Sequence, residues 1–226
     1  MKTPYLHSVD NVVFGYNKRQ LYVLVTQYLR GPLQGQHALP GDWLHPTETL
    51  EQAAERILKE RTGLESATLK QYYTFSALNR HPSERAIGTA FWMITHCDKC
   101  SELKNNHDVC TQWYSLDKVP TLIFDHTKIL NLARRALKST VSSHPMGRDI
   151  LPVKFTIGEL IDLYETLLDI ELDAPNFRRK LQRNNLLTAT QEKARSPQGR
   201  LSTVYTFNSQ AYETLAATGL PMAFSA

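Results

Sequence analysis

The chain has 226 residues, enough for one large domain or two small ones, and its 42% apolar and 21% charged residues are typical of a globular protein. No apolar run approaches the roughly 18 residues that cross a bilayer. The N-terminal sequence lacks the charged start and long apolar core of a signal peptide, so we expect a cytoplasmic protein with no membrane partner. The net charge of +4 excludes no class of partner.

Strands and helices follow one another in the first half of the chain. Residues 8–17 and 20–28 are rich in β-branched and aromatic side chains, and they predict two strands joined by a turn. A helix is predicted at 125–141, and further strands at 38–44, 67–78, 86–97 and the start of 111–125. This order favours an α/β sandwich.

Another helix is predicted at residues 48–63. Thr47 or Thr49 is suited to cap its start, and Gly63 is suited to end it. Its apolar stripe has helical spacing and marks the face that we expect to be buried: Leu50, Ala53, Ala54, Ile57 and Leu58.

Three cysteines lie close together in the chain, in the segment 96–110. An odd number of cysteines without a signal peptide argues against a disulfide framework. Zinc is one possibility, with Cys97, Cys100, His107 and Cys110 as the ligands. The six-residue gap between the two pairs matches no common zinc pattern, so a polar loop with free thiols is the alternative, and the sequence leaves the choice open.

A change of composition at residues 142–152, with two prolines and a glycine, predicts a linker. The segments after it predict a helix at 156–170, a helix at 174–185, strands at 186–194 and 201–207, and a short closing helix at 208–218. A helix, a basic helix and a basic hairpin in this order are typical of a winged helix that binds DNA.

The stretch 174–207 carries seven basic residues and one acid, Glu192, which is a stronger charge than that of the whole chain. In a winged helix, the second helix enters the major groove, and the hairpin touches phosphates. We therefore predict base-edge contacts from Asn176, Arg179 and Arg183. Predicted phosphate contacts are Arg178, Lys180, Arg195 and Arg200.

Residues 42–64 resemble the 23-residue box of the Nudix hydrolases, whose helix holds Mg²⁺ against a pyrophosphate. The matching residues are Glu48, Arg56, Leu58, Glu60, Gly63 and Leu64. Asp42 stands at the position of a glycine, and Ile57 and Arg61 stand at two of three clustered glutamates. Positions 57, 60 and 61 share one helical face, and Mg²⁺ needs several oxygen ligands. We therefore predict no catalytic residue, no bound metal and no hydrolase activity.

Two interpretations of the substituted face are open. In the first, Ile57 extends the apolar stripe, Arg61 is a solvated surface residue, and the helix is scaffold only. In the second, Arg61 meets an anionic ligand, because a cation in place of a metal-binding carboxylate suits a pocket that binds phosphate without cleaving it.

Nearly the whole chain resembles the Nudix-related transcriptional regulators of the NrtR type, most closely at 79–91, 119–126, 151–181 and 204–212. The resemblance implies an α+β protein, a Nudix-fold α/β/α sandwich followed by a winged helix-turn-helix domain. We expect an effector-sensing domain at 1–145 and a DNA-binding domain at 146–226. It further implies a homodimeric repressor, without a cofactor, that binds an inverted-repeat operator in double-stranded DNA.

The effector of one branch of these regulators is ADP-ribose, and its targets are NAD-metabolism genes. Another branch responds to sugars such as arabinose and controls sugar-use operons. The candidate effector-binding residues lie in loops near the expected pocket and on the box helix: Arg30, Arg80, Arg85, Glu60 and Arg61. Four cations favour a phosphate-bearing effector. An active Nudix pyrophosphohydrolase with an unusual metal site is the third interpretation.

Overall fold

The computed structural model describes residues 5–65, 69–97, 103, 108–195 and 201–219. Three predicted site residues, Cys100, His107 and Arg200, lie outside these described residues. The chain divides into two units, Met1–Ala136 and Leu137–Ala226. The division falls inside a helix, a few residues before the boundary expected at residue 145.

The first unit is built on one sheet. Its strands are β1 (Leu6–Asn17), β2 (Gln20–Tyr28), β3 (His37–Ala38), β4 (Gly41–Trp43), β5 (Lys70–Phe75), β6 (Ala86–His96) and β7 (Val109–Ser115). They follow the order β3-β2-β1-β6-β5, with β4 added beside β1 and β7 beside β2. The β1–β6 pair is parallel and the other pairs are antiparallel.

The single strand predicted at 38–44 is wrong in one respect, since the structure has two short strands there. β3 pairs with β2 and β4 pairs with β1, so the chain crosses from one neighbour to the other between them. Leu39 and Pro40 make this crossing, and Pro40 has no N–H to donate to a sheet. Its carbonyl accepts a hydrogen bond from the backbone N–H of Asn11 instead.

Helix α1 (Leu50–Thr62) begins at a capping box in which Thr49 and Gln52 satisfy each other's backbone N–H groups. It ends at Gly63, whose φ of 77° lies in the left-handed region that glycine adopts without strain. The buried stripe of α1 packs on the sheet; Ile57 lies in a cluster with Val9 and Phe91 and is 0% exposed. The prediction that Ile57 extends the apolar stripe is confirmed.

The second unit contains the end of α2 (His126–Ser143), then β8 (Phe155–Thr156), α3 (Ile157–Leu168), α4 (Ala174–Arg183), β9 (Leu187–Arg195), β10 (Leu201–Phe207) and α5 (Ser209–Thr218). The strands form a sheet of order β8-β10-β9. Tyr164 of α3 packs against Phe177 of α4, with ring centroids 5.1 Å apart. This is the predicted winged helix, two packed helices followed by a hairpin. None of the helices in the described ranges has the length and apolar character to cross a membrane.

Candidate functional site

A cavity of about 180 Å³ opens beside the first residues of β1. The register of β4 against β1 sets Asp42 opposite Val9 and Trp43 opposite Ser8. Because side chains alternate along a strand, Ser8 and Asp10 share a face, while Val9 points to the other side and packs with α1. The cavity is lined by Ser8, Asp10, Tyr28, Leu33, Leu39, Gly41, Asp42, Trp43, Arg61, Arg80, His81, Ile123, Phe124 and His126.

Two residues that depart from the Nudix box are joined in this cavity. Arg61 Nη2 donates a hydrogen bond to Asp42 Oδ2 at 2.6 Å. Asp42 stands at the position of the box glycine and Arg61 at that of a box glutamate, so the two substitutions together make one ion pair. The interpretation of Arg61 as a simple solvated surface residue is therefore wrong, because its side chain is 24% exposed and paired.

Arg80 lies at the base of the cavity with its side chain 5% exposed. It donates to Asp125 through Nε and Nη2, at 3.0 and 3.2 Å, and to Ser8 Oγ through Nη1, at 3.0 Å. Its Nη2 also lies 3.4 Å from Asp10 Oδ2. Since one guanidinium faces two carboxylates, the cavity gains no excess positive charge from Arg80.

His126 completes this buried group. Its Nδ1 accepts a hydrogen bond from the backbone N–H of Leu39 at 2.9 Å, and its Nε2 lies 3.8 Å from Asp10 Oδ1. Burial lowers the pKa of His126, against the opposing effect of the Asp10 and Asp125 carboxylates. The neutral imidazole agrees with the hydrogen bond, because a protonated Nδ1 has no lone pair to accept it.

The face of α1 that holds Mg²⁺ in an active Nudix enzyme does not fit that ion in this chain. Ile57 has no oxygen and is buried, and Arg61 brings a positive charge. Glu48 is held by Arg56, from Nε to Oε2 at 2.8 Å and from Nη2 to Oε1 at 2.7 Å, and these hydrogen bonds lower the pKa of Glu48 to about 2. Glu60 also receives a hydrogen bond from Arg56. Among the described residues, no group of three His, Cys, Asp or Glu side chains is arranged to hold a metal ion.

The structure brings only some of the predicted effector-binding residues together. Arg61 and Arg80 line the cavity, whereas Arg30, Glu60 and Arg85 are not part of its lining. Arg30 is exposed in the loop after β2, and Arg85 donates through Nη1 to the carbonyls of residues 76, 77 and 86. Of the four cations predicted near the pocket, only Arg61 and Arg80 line it, and each of these already lies beside a carboxylate.

Sequence reasoning missed the aromatic side of the cavity. The ring centroids of Trp43 and His81 are 5.6 Å apart, and those of His81 and Phe124 are 5.0 Å apart. Trp43 and Phe124 remain 36% and 43% exposed, so this row offers a surface on which a planar or sugar ring can stack. The candidates Arg80 and Arg85 pointed to the loop that holds His81, but only the folded chain brings these three rings together.

A larger cavity of about 520 Å³ adjoins the first and shares Arg80 and Phe124 with it. Its other lining includes Tyr73, Asn79 and Lys128. Since a cleft for a drug-sized ligand measures about 300–1,000 Å³, the first cavity alone is small for a dinucleotide-like molecule, and the two together are large enough.

The predicted DNA-binding residues of the second unit lie on α4 and the hairpin. Phe177 and Leu181 are buried, so the opposite side of α4 carries Asn176, Arg179 and Arg183 away from the core of this unit. Arg179 Nη2 donates to Asn176 Oδ1 at 3.2 Å. The remaining described candidates are Arg178, Lys180 and the exposed Arg195 at the end of β9.

Of the four candidate zinc ligands, Cys97 and Cys110 are described. Cys97 is buried and Cys110 is half-buried. Because Cys100 and His107 lie outside the described residues, the zinc question stays a prediction.

Comparison with protein families assigns both halves of the chain. The NUDIX domain model matches residues 4–133, and the NrtR DNA-binding winged helix domain model matches residues 147–207. The chain belongs to the Nudix family. Within this family it combines a Nudix domain with an NrtR-type winged helix, as the sequence predicted.

Two curated proteins illustrate the relation of this Nudix chain to regulators and to enzymes. The "ADPR responsive transcriptional repressor NtrR" of Acinetobacter baylyi is 26% identical over 212 residues, which is 92% of this chain and 84% of that protein. The "ADP-ribose pyrophosphatase" of Methanocaldococcus jannaschii is 32% identical over 130 residues, 56% of this chain and 73% of that protein. The regulator matches nearly the full length, and the enzyme matches only part of it.

One solved structure is similar to nearly the whole chain, and another is similar to its Nudix domain alone. Shewanella oneidensis NrtR complexed with a 27mer DNA has a TM-score of 0.77 and 26% identity, over 91% of this chain and 95% of that one. The NUDIX domain of the same protein, complexed with ADP ribose, has a TM-score of 0.55 and 27% identity, over 60% of this chain and 90% of that one.

Proposed function

We propose that this protein is a transcriptional repressor whose Nudix domain binds ADP-ribose and whose winged helix binds operator DNA. The observation that carries the proposal is the combination of two features in one chain. A Nudix domain with a lined pocket carries Ile57 and Arg61 at two positions of the clustered box glutamates, and it is followed by an NrtR-type winged helix with arginines on its outer face. By the same analogy, we infer that the regulated genes belong to NAD metabolism.

The absence of hydrolysis is inferred from the chemistry of α1. Phosphoanhydride cleavage in this family relies on Mg²⁺, and Mg²⁺ requires several oxygen ligands in near-octahedral geometry. Ile57 contributes none, Arg61 is a cation, and the oxygens of Glu48 accept hydrogen bonds from Arg56. The similarity to an ADP-ribose pyrophosphatase supports binding of the same ligand class, while the residues of the box argue against turnover.

The proposed DNA interface rests on charge and shape. Arg179 and Arg183 lie on the outer face of α4, and Arg195 lies at the end of β9 in the hairpin. Helix residues suit base edges in the major groove, and hairpin residues suit phosphates. We expect a homodimer on an inverted repeat, with the sensing domain at 1–145 and the DNA-binding domain at 146–226.

A sugar effector is the second candidate, and one observation favours it. The cavity has carboxylates at Asp10 and Asp42 and a hydroxyl at Ser8, groups that bind sugar hydroxyls, and its two arginines are already paired. Against it, the two adjoining cavities together exceed the space that a pentose needs.

The test measures binding of the purified full chain to promoter duplexes of NAD-metabolism genes that contain an inverted repeat, with a scrambled duplex as control. ADP-ribose is expected to weaken specific binding, and arabinose is expected to leave it unchanged. Incubation of the protein with ADP-ribose and Mg²⁺ or Mn²⁺ is expected to release no AMP. The proposal is wrong if the chain hydrolyses ADP-ribose, or if a pentose alone changes its DNA binding.

A further inference from the structure

We propose that Asp42 competes with anionic ligands for the guanidinium of Arg61, and that it thereby lowers the affinity of the cavity for a pyrophosphate-bearing ligand. This inference rests on the proposed function, since it names how the same pocket discriminates between ligands. It assigns a role to Asp42, which stands at a position where the Nudix box has glycine.

The geometry brings one carboxylate and one guanidinium into direct contact on the wall of the cavity. Arg61 Nη2 and Asp42 Oδ2 are 2.6 Å apart, and both side chains line the cavity together with Tyr28. Their side chains are 24% and 31% exposed, so the pair is partly shielded from water. An anion that enters the cavity and binds Arg61 therefore either displaces the Asp42 carboxylate or shares the guanidinium with it.

Backbone structure holds Asp42 in this position. It lies in β4, paired with Val9 of β1, and its Oδ1 accepts a hydrogen bond from the backbone N–H of Trp43 at 2.8 Å. The preceding residue, Gly41, packs so closely on β1 that a Cβ there would lie 2.5 Å from Asp10 Oδ1. The backbone of Asp42 is thus held in place beside β1, with its carboxylate within reach of Arg61.

The charge of a ligand determines how well it competes with Asp42 for Arg61. A monoanion that displaces the carboxylate exchanges one negative charge for another and gains little. A pyrophosphate carries at least two charges and a larger set of acceptor oxygens, so it gains contacts with the guanidinium that Asp42 does not supply. A neutral sugar gains nothing from Arg61 and leaves the pair intact. The carboxylate therefore lowers the affinity of the cavity for anions, and it has no such effect on a neutral sugar.

Asp42→Asn is the variant that isolates this effect. The amide keeps an Oδ1 acceptor for the Trp43 N–H and removes the charge. We expect it to raise the affinity for ADP-ribose, measured by isothermal titration calorimetry in EDTA, about three- to tenfold. Arg61→Ala is expected to lower that affinity, and Asp42→Asn in the Arg61→Ala background is expected to give no gain. Inorganic pyrophosphate serves as a second probe, whose affinity should rise in the same way, and ribose serves as a neutral probe, whose affinity should not rise.

Glu65→Gln is the matched control. Glu65 pairs with Lys59 at 2.6 Å just beyond the same helix, but neither residue lines the cavity, so a gain in this variant would reflect a general change in net charge. Thermal melting of each variant checks that it is folded.

The outcomes separate this inference from the proposed function. If the wild type binds ADP-ribose and Asp42→Asn binds it no better, or if the gain persists without Arg61, the competitor role is wrong and the proposed function stands. If the wild type does not bind ADP-ribose, the proposed function fails. The competitor role is then decided by the affinity of the wild type and of Asp42→Asn for inorganic pyrophosphate. It is overturned if Asp42→Asn binds pyrophosphate no more tightly than the wild type, or if neither protein binds it. A requirement for Mg²⁺ that disappears in Asp42→Asn would make Asp42 a metal ligand and also overturn it.

Discussion

Arg80 donates two hydrogen bonds to Asp125, from Nε to Oδ2 at 3.0 Å and from Nη2 to Oδ1 at 3.2 Å, in the buried floor of the cavity. The same guanidinium faces Asp10. A residue that the sequence suggested as a ligand contact therefore also lies between two carboxylates and links the loop before β6 to β1 and to the start of α2. We expect the loss of Arg80 to lower the free energy of unfolding more than it lowers the affinity for a ligand.

The first prediction concerns this group. Arg80→Ala leaves two carboxylates in a site with little water, and removal of one partner from a buried ion pair costs about 3–5 kcal/mol. We expect a decrease of that size in the free energy of unfolding, measured by urea denaturation. Arg30→Ala, in an exposed loop, should change it by less than about 0.5 kcal/mol. A fully stable Arg80→Ala protein would show that the guanidinium is dispensable for folding.

The second prediction concerns the lost carboxylates of the box. Ile57→Glu should not restore a metal site, because residue 57 lies in the core with Val9, Ala53 and Phe91. An unpaired carboxylate there costs several kcal/mol, so we expect a protein that is strongly destabilised in urea and that releases no AMP from ADP-ribose. Glu60→Gln, on the exposed side of the same helix, is the control and should keep wild-type stability. A stable Ile57→Glu protein that binds Mg²⁺ would contradict this account.

The third prediction concerns pH. Burial lowers the pKa of His126 below 6.5, so between that value and the folded pKa the unfolded chain binds a proton that the folded chain does not. The stabilisation that comes from the neutral, buried His126 is therefore fully present above about pH 6.5. It is lost as the pH falls through the folded pKa, by at most about 1.4 kcal/mol per pH unit. Burial lowers the pKa of His7 in the same direction.

His126→Asn tests this assignment, because the Asn side chain can still accept the Leu39 N–H. The variant should lose less stability than wild type between pH 7.5 and 5.5, measured by thermal melting. His45→Gln, at an exposed position, should keep the wild-type slope. An unchanged slope in His126→Asn would assign the pH dependence to other groups.

The fourth prediction concerns DNA. Arg195→Ala on the hairpin should weaken binding about equally on all sequences and flatten the slope of log affinity against log salt by about one unit, because one phosphate contact is lost. Arg183→Ala on α4 should cost about 1–3 kcal/mol on the operator and much less on scrambled duplex, if it reads a guanine edge. Fluorescence anisotropy at two salt concentrations distinguishes the two patterns. Equal effects of both variants on both duplexes would reduce α4 to a phosphate-binding helix.

Local signals predicted most of the elements correctly. The limits of α1 followed from Thr49 and Gly63, since caps and left-handed glycines act within a few residues. The helices and hairpin of the second unit followed from periodicity and charge in the same way. The split of β3 from β4 did not, because it depends on which neighbouring strand each residue pairs with.

The sequence by itself determined that two positions of the Nudix box supply no carboxylate oxygens, because Ile57 and Arg61 have none in any fold. It also determined the basic character of α4 and the hairpin. Only the tertiary structure decided what the substitutions do instead. The contacts Arg61–Asp42, Arg80–Asp125 and Trp43–His81–Phe124 join residues that are far apart in the chain, and the energy of an ion pair or of ring stacking depends on distance and burial, which the linear order of residues does not encode.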